Sequence, residues 1–206
     1  MPTITNKQKI LDKVLTTFKK RYDPQEVEQR PILEQFIYAI CREGATRQGA
    51  DRAYQNLRDR FYDWNEVRVS SEREVEDALS GLPESEARAQ RIISFLQEVF
   101  ETTFSFDLES IHKKGLKQGA KHLSRYQAAS DFAVAWVVQH SLGGHAVPLD
   151  GPALRALRKL GLIEEEDGNT EAIRTGIEHL IPKAKAVQFC EIVCAIAHDS
   201  RFEHEF

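Results

Sequence analysis

The residue of this 206-residue chain best placed for electrostatic chemistry is an aspartate at the mouth of a helix. In VPLDGPALRALRKLGL (147–162), Asp150 follows Pro148 and precedes Pro152, and the apolar periodicity of a helix starts just beyond. Aspartate is a preferred N-cap and proline a preferred first-turn residue, a combination worth roughly 1 kcal/mol to the helix. A capping carboxylate lies in the positive field of the helix N–H groups, which favours its charged form. Capping the helix and stabilising a developing cation are therefore compatible roles for Asp150, and the spacing leaves both open.

A second cluster could bind rather than react. From His112 to Arg125 the sequence reads HKKGLKQGAKHLSR, with Lys113, Lys114, Lys117, Lys121 and Arg125, two histidines and no acid. Arg155, Arg158 and Lys159 follow Asp150, while acids collect in EREVED (72–77) and EEED (164–167). The net charge of −4 argues against a general nucleic-acid binder, yet so uneven a distribution can still present one basic face to phosphates. The alternative is a solvated helix face that happens to be basic. Trp64 and Tyr126 are the expected surface aromatics, able to stack on a base, whereas Trp136 in FAVAWVV (132–138) reads as core.

Cys190, Cys194 and His198 stand at i, i+4 and i+8, and each is a competent zinc ligand. Three ligands from one helix do not close a tetrahedral site, so a packed face is expected and no metal. Cys41 reads as core. Three cysteines make no disulfide framework, the opening MPTITNKQK has no apolar signal core, and the longest apolar run is too short to span a bilayer. A reduced, cytoplasmic protein without cofactor is expected, not membrane-bound and monomeric.

The elements that must hold these residues are helical nearly throughout. Ile10, Leu11, Val14, Leu15 and Phe18 share one face, and Ala89, Ile92, Ile93, Leu96 and Phe100 follow the same period. Further helical patterns fall at 31–43, 49–61, 72–82, 107–115, 153–162, 170–181 and 185–200. AKHL (120–123) and YQAASDFAVAWVVQHSL (126–142) flank a polar hairpin, SRYQ. WNEVRV (64–69) comes nearest to strand alternation without convincing. The fold class predicted is all-α, with about ten short helices and no repeat of solenoid period.

In this order the pieces resemble the helix-hairpin-helix DNA glycosylases of the endonuclease III superfamily, over roughly residues 10–200. ILEQFIYAICREGAT (32–46) is similar to an early buried helix ending in Ser-Ala-Gln-Ala-Thr. HLSRYQAASDFAVAWVV (122–138) stands where the family has Leu-Pro-Gly-Val-Gly-Arg-Lys-Thr-Ala. AVPLDGPALRALRKLGL (146–162) resembles Val-Pro-Val-Asp-Thr-His-Val-x-Arg-Val-Leu-x-Arg-Leu-Gly, and FCEIVCAIAHDSR (189–201) the closing helix, with His198 matching a histidine. The resemblance implies a six-helix lobe over 31–142, containing a degenerate helix-hairpin-helix at about 116–142. A second lobe comes from 1–30 plus 143–206. Double-stranded DNA is the implied partner, held in a cleft with the target base rotated out of the stack.

The departures fall on functional positions. Where the family's hairpin glycines bring backbone N–H groups to a phosphate, this chain has Arg125, Tyr126 and Gln127, so the turn is expected to be strained or Asn-like. Where a lysine forms a Schiff base with the sugar, alignment places Ala129, with Ser130 beside it. The family's Thr-His after the aspartate is Gly151 and Pro152. The glutamine that fills the gap behind a flipped base falls near Gly44, with Arg42, Glu43 or Arg47 as substitutes. No cysteine follows Cys194, so the iron–sulphur cluster motif is absent.

The expected site is thus Asp150 as catalytic carboxylate, with Lys113, Lys114, Lys117, Lys121, Arg125, Tyr126, Gln127 and Arg155 contacting DNA. Asp150 is expected to face the cleft and to share a face with the basic run. Two classes remain: a monofunctional DNA glycosylase using Asp150 without lyase activity, and an inactive DNA-binding or protein-interaction module on the same fold.

Overall fold

A computed structural model describes residues 4–22, 28–164 and 169–201. Its helices are α1 (Ile4–Tyr22), α2 (Ile32–Arg42), α3 (Arg47–Arg60), α4 (Trp64–Val69), α5 (Glu72–Ala78), α6 (Ser85–Thr103), α7 (Leu116–Leu123), α8 (Asp131–His140), α9 (Gly151–Lys159), α10 (Thr170–Leu180) and α11 (Lys183–Ala197), with a 3-10 turn over Glu109–Lys114 before α7. Among the described residues there is no strand, and no helix is long and apolar enough to cross a membrane. The chain divides into two compact units, Gln29–Gly144 and the two ends Met1–Glu28 with His145–Phe206.

Local chemistry explains most helix starts. Thr46, Asp63, Ser71, Ser130, Asp150 and Asn169 each accept a hydrogen bond from a first-turn N–H, and Ser71 with Glu74 completes a reciprocal capping box. The Asp63 cap decides WNEVRV, which is helix α4 and not a strand: the carboxylate takes the Glu66 N–H at 2.8 Å. The segment after Leu108 begins as a 3-10 turn, and α7 starts only past Gly115, whose φ of +74° suits a residue without Cβ.

In the Gln29–Gly144 unit, α2 packs against α3, α6 and α8. Phe36 and Phe95, both fully buried, stack with centroids 4.2 Å apart. Trp64, expected at the surface, is 8% exposed. Its indole N–H reaches Glu34 at 3.2 Å and its ring lies beside Tyr54, partners too distant in sequence to foresee.

The other unit has its own core. Leu11, Val14, Leu15 and Phe18 of α1 join Leu157 of α9, Ile173 and Ile177 of α10, and Phe189, Ile192 and Ile196 of α11. Polar ties close the ends of α1 and α11: the Tyr22 hydroxyl donates to Asp199 at 2.8 Å, and Arg21 approaches the same carboxylate at 3.3 Å.

Candidate functional site

The basic run folds into a concave wall. Lys114, Gln118, Lys121, His122 and Arg125 line an open groove of about 360 Å³. Lys114 comes from the end of the 3-10 turn, Gln118, Lys121 and His122 from α7, and Arg125 from the turn just past it, so three successive pieces bring three cations to one volume. Among the described residues no carboxylate is paired with Lys114, Lys121 or Arg125. Burial, with Lys114 and Arg125 nearby, lowers the pKa of His122, favouring its neutral form. Lys113 and Lys117 are exposed outside this lining, while His112 turns to Glu109 at 3.1 Å.

The hairpin after α7 dispenses with glycine. Its residues 124–130 carry no positive φ, so the expected strain is absent. Arg125 and Tyr126 donate backward to the carbonyls of His122 and Leu123, and Ala129 donates to Tyr126. What shapes the turn instead is one face of α6, where Arg91, Phe95 and Glu98 stand at i, i+4 and i+7. Arg91 donates to the Ala128 carbonyl at 3.1 Å, Phe95 takes the edge of the Tyr126 ring at 5.1 Å, and Glu98 accepts the Gln127 N–H at 2.9 Å. Tyr126, expected to be a surface aromatic, is therefore a core residue, 6% exposed. Desolvation, with Glu98 nearby, pushes its hydroxyl up to about 12. Gln127 keeps an exposed side chain but has its amide bound.

Ala129, at the aligned lysine position, offers no amine. Ser130 is a structural residue: its hydroxyl caps α8 at Ala133 N, donates to Glu43 at 2.9 Å, and lies 3.4 Å from Arg91. Around Gly44 the candidate wedges are also committed. Arg42 is 2% exposed and donates to Ala45, Glu43 binds Arg91 at 3.0 Å, and half-buried Arg47 leans toward Asp51 at 3.7 Å.

Sequence reasoning passed over Arg88, Arg91 and Glu98. Arg88 closes the C-terminal end of α2, donating to the carbonyls of Ile40, Cys41 and Glu43 and to Pro83. Its signal was available, since Arg88 falls one turn before Ile92 on the inward face of α6, where a charge demands partners.

In the unit formed by the chain ends, Asp150 is the N-cap of α9, its Oδ1 accepting the Ala153 N–H at 2.8 Å, with half-buried surroundings. Arg155 is exposed one turn on, and its guanidinium folds back over Gly151, 3.5 Å from where a Cβ would stand. On α11, His198 Nδ1 meets the Cys194 carbonyl at 2.9 Å and Sγ at 3.6 Å. Among the described residues no three His, Cys, Asp or Glu side chains gather as a metal site.

No protein-family model matches the sequence, and no curated protein matches it. Solved structures do. A non-covalent endonuclease III–DNA complex superposes with a TM-score of 0.70 at 13% identity, covering 92% of this chain and 85% of that one. The H. pylori 3-methyladenine DNA glycosylase bound to 1,N6-ethenoadenine gives 0.69 at 12%, covering 93% and 96%. A thermostable thymine-DNA glycosylase gives 0.67 at 15%, covering 94% and 87%. At these identities the likeness establishes the fold: this chain has the helix-hairpin-helix DNA glycosylase architecture.

Proposed function

We propose that this chain is a duplex-DNA-binding protein of base-excision-repair type that lacks the amine needed for strand cleavage. The observation that carries the reading is the groove in which Lys114, Lys121 and Arg125 converge beside the hairpin of a glycosylase fold. Each phosphate neutralised there releases condensed counterions, so three contacts would give a slope of about −2.7 in log affinity against log salt. Lys113 and Lys117 are assigned peripheral phosphate contacts, and Arg155 a separate phosphate contact of its own unit.

Any base release in this reading is hydrolytic. The bond from sugar C1′ to the base breaks with its electron pair leaving on the base, water adds to C1′, and the proton that water loses ends on the released base. Asp150 would oppose the positive charge that builds on the sugar. Ala129 excludes an imine at the aligned position. A second reading, an inactive binding module, is favoured by the occupied donor at the hairpin: the Gln127 amide is bound by Glu98.

The test is a panel of duplexes carrying uracil, oxidised pyrimidines, mismatched adenine, alkylated purines and abasic sites, assayed for binding and base release at several salt concentrations. Salt-sensitive binding that is lost on changing Lys117, Lys121 and Arg125 together to Glu is expected. A triple variant that binds like the parent would refute the reading. Base release from any duplex would decide against the inactive module.

A further inference from the structure

The hairpin carries a backbone donor, the Gln127 N–H, two residues from the groove cation Arg125, and a backbone donor near positive charge attracts anions. The chain supplies that anion itself: Glu98, half-buried on α6, accepts the Gln127 N–H at 2.9 Å. The carboxylate is held in place by its own helix, two turns from Arg91, which grips the next carbonyl of the turn at 3.1 Å. Tyr126 lies between the two faces, its ring against Phe95 and its hydroxyl 3.4 Å from His122 at the groove. An external anion competing for this amide must displace a tethered one, at high effective concentration, and then face the displaced charge.

Among the described residues no carboxylate lines the groove. Its cations sit on flexible stems around an open volume of about 360 Å³, room for a phosphate diester and its hydration. We propose that Glu98 is a built-in anion that reserves the hairpin tip, so that a DNA phosphate on this face is held by Lys114, Lys121 and Arg125 through side chains and not by the hairpin backbone. The choice of DNA as the phosphate donor rests on the function proposed above.

Two measurements separate the two readings. Inorganic phosphate is titrated into the 15N-labelled protein, and amide shifts are followed in the parent, in Glu98→Ala and Glu98→Gln, and in Glu101→Gln as a control that removes a charge elsewhere on α6. The parent should respond at Lys121, His122 and Arg125 and stay silent at Gln127. The Glu98 variants should add a Gln127 response that Glu101→Gln does not. Duplex binding is measured alongside: Lys121→Gln with Arg125→Gln should weaken it at least tenfold and flatten the salt slope by about two, while Glu98→Ala should strengthen it severalfold. A Gln127 amide that responds to phosphate in the parent, or groove variants that bind phosphate and DNA like the parent, would overturn the proposal. A parent that binds phosphate in the groove but no duplex would instead overturn DNA as the donor, and with it the function.

Discussion

Replacing Arg88 with methionine tests the logic of this fold most severely. The guanidinium is 5% exposed and serves four carbonyls, those of Ile40, Cys41, Glu43 and Pro83, the first three belonging to the end of α2. Burial lowers its pKa from the usual arginine range, so the site holds a charge that it solvates with carbonyls in place of water. Methionine keeps an unbranched apolar stem, stops short of the guanidinium and removes every donor. A hydrogen bond from a charged group contributes ~1.5–3 kcal/mol net. Counting two of the four at full value gives a loss of about 4 kcal/mol, or a drop of about 8–16 °C in a chain of this size. Arg88→Lys, a point charge on a flexible stem, should recover about half of that. Urea unfolding followed by tryptophan fluorescence is the assay, since Trp64 and Trp136 both belong to the unit that contains Arg88. The competing effect is the desolvation of the charge itself, which can cancel its bonds. A methionine variant within about 1 kcal/mol of the parent would show that it does, and would refute the reasoning.

Three further outcomes are expected. Burial, with Arg42, Arg30 and Arg47 adding to it, pushes His140 down to about 4. The folded protein therefore binds fewer protons than the unfolded chain between pH 6.5 and 4: this contribution is whole above about pH 6.5 and falls by about 3 kcal/mol as pH drops to 4. Urea midpoints of His140→Gln should lose that part of the acid slope; an unchanged slope would contradict the assignment. Asp150→Ala should cost about 1 kcal/mol as a lost cap while Asp150→Asn costs little, and any base release should vanish in both, which separates the charge from the cap. Borohydride treatment on abasic or damaged duplex should trap no covalent adduct, because Ala129 has no amine; an adduct mapped to an ordered lysine would show that the hairpin alignment is wrong.

What could be read from the sequence was what local chemistry determines. Asp150 as a cap needed only its own neighbours, and the basic run from His112 to Arg125 needed only its composition. WNEVRV, the nearest approach to strand alternation, was rightly left out of any strand, and the aspartate before it shows why it is a helix. Tyr126 and Trp64 looked like surface aromatics because their burial depends on Phe36, Phe95 and Glu34, residues 30 or more positions away. The unstrained hairpin was hidden for the same reason: glycine is one way to make that turn, and α6 supplies another from 29 residues upstream.

That substitution bears on any attempt to convert this protein by transplanting the missing motif. Writing Gly-x-Gly into positions 125–127 would remove the Tyr126 ring or its flanking stiffness and add chain entropy of up to about 1 kcal/mol per glycine. It would leave Arg91 and Glu98 still clasping the turn, so the amides would not face outward. A working graft would have to begin on α6, with Glu98 and Arg91 exchanged first and the loop second. The hairpin here is the imprint of a neighbouring helix, and its sequence is the last thing to edit.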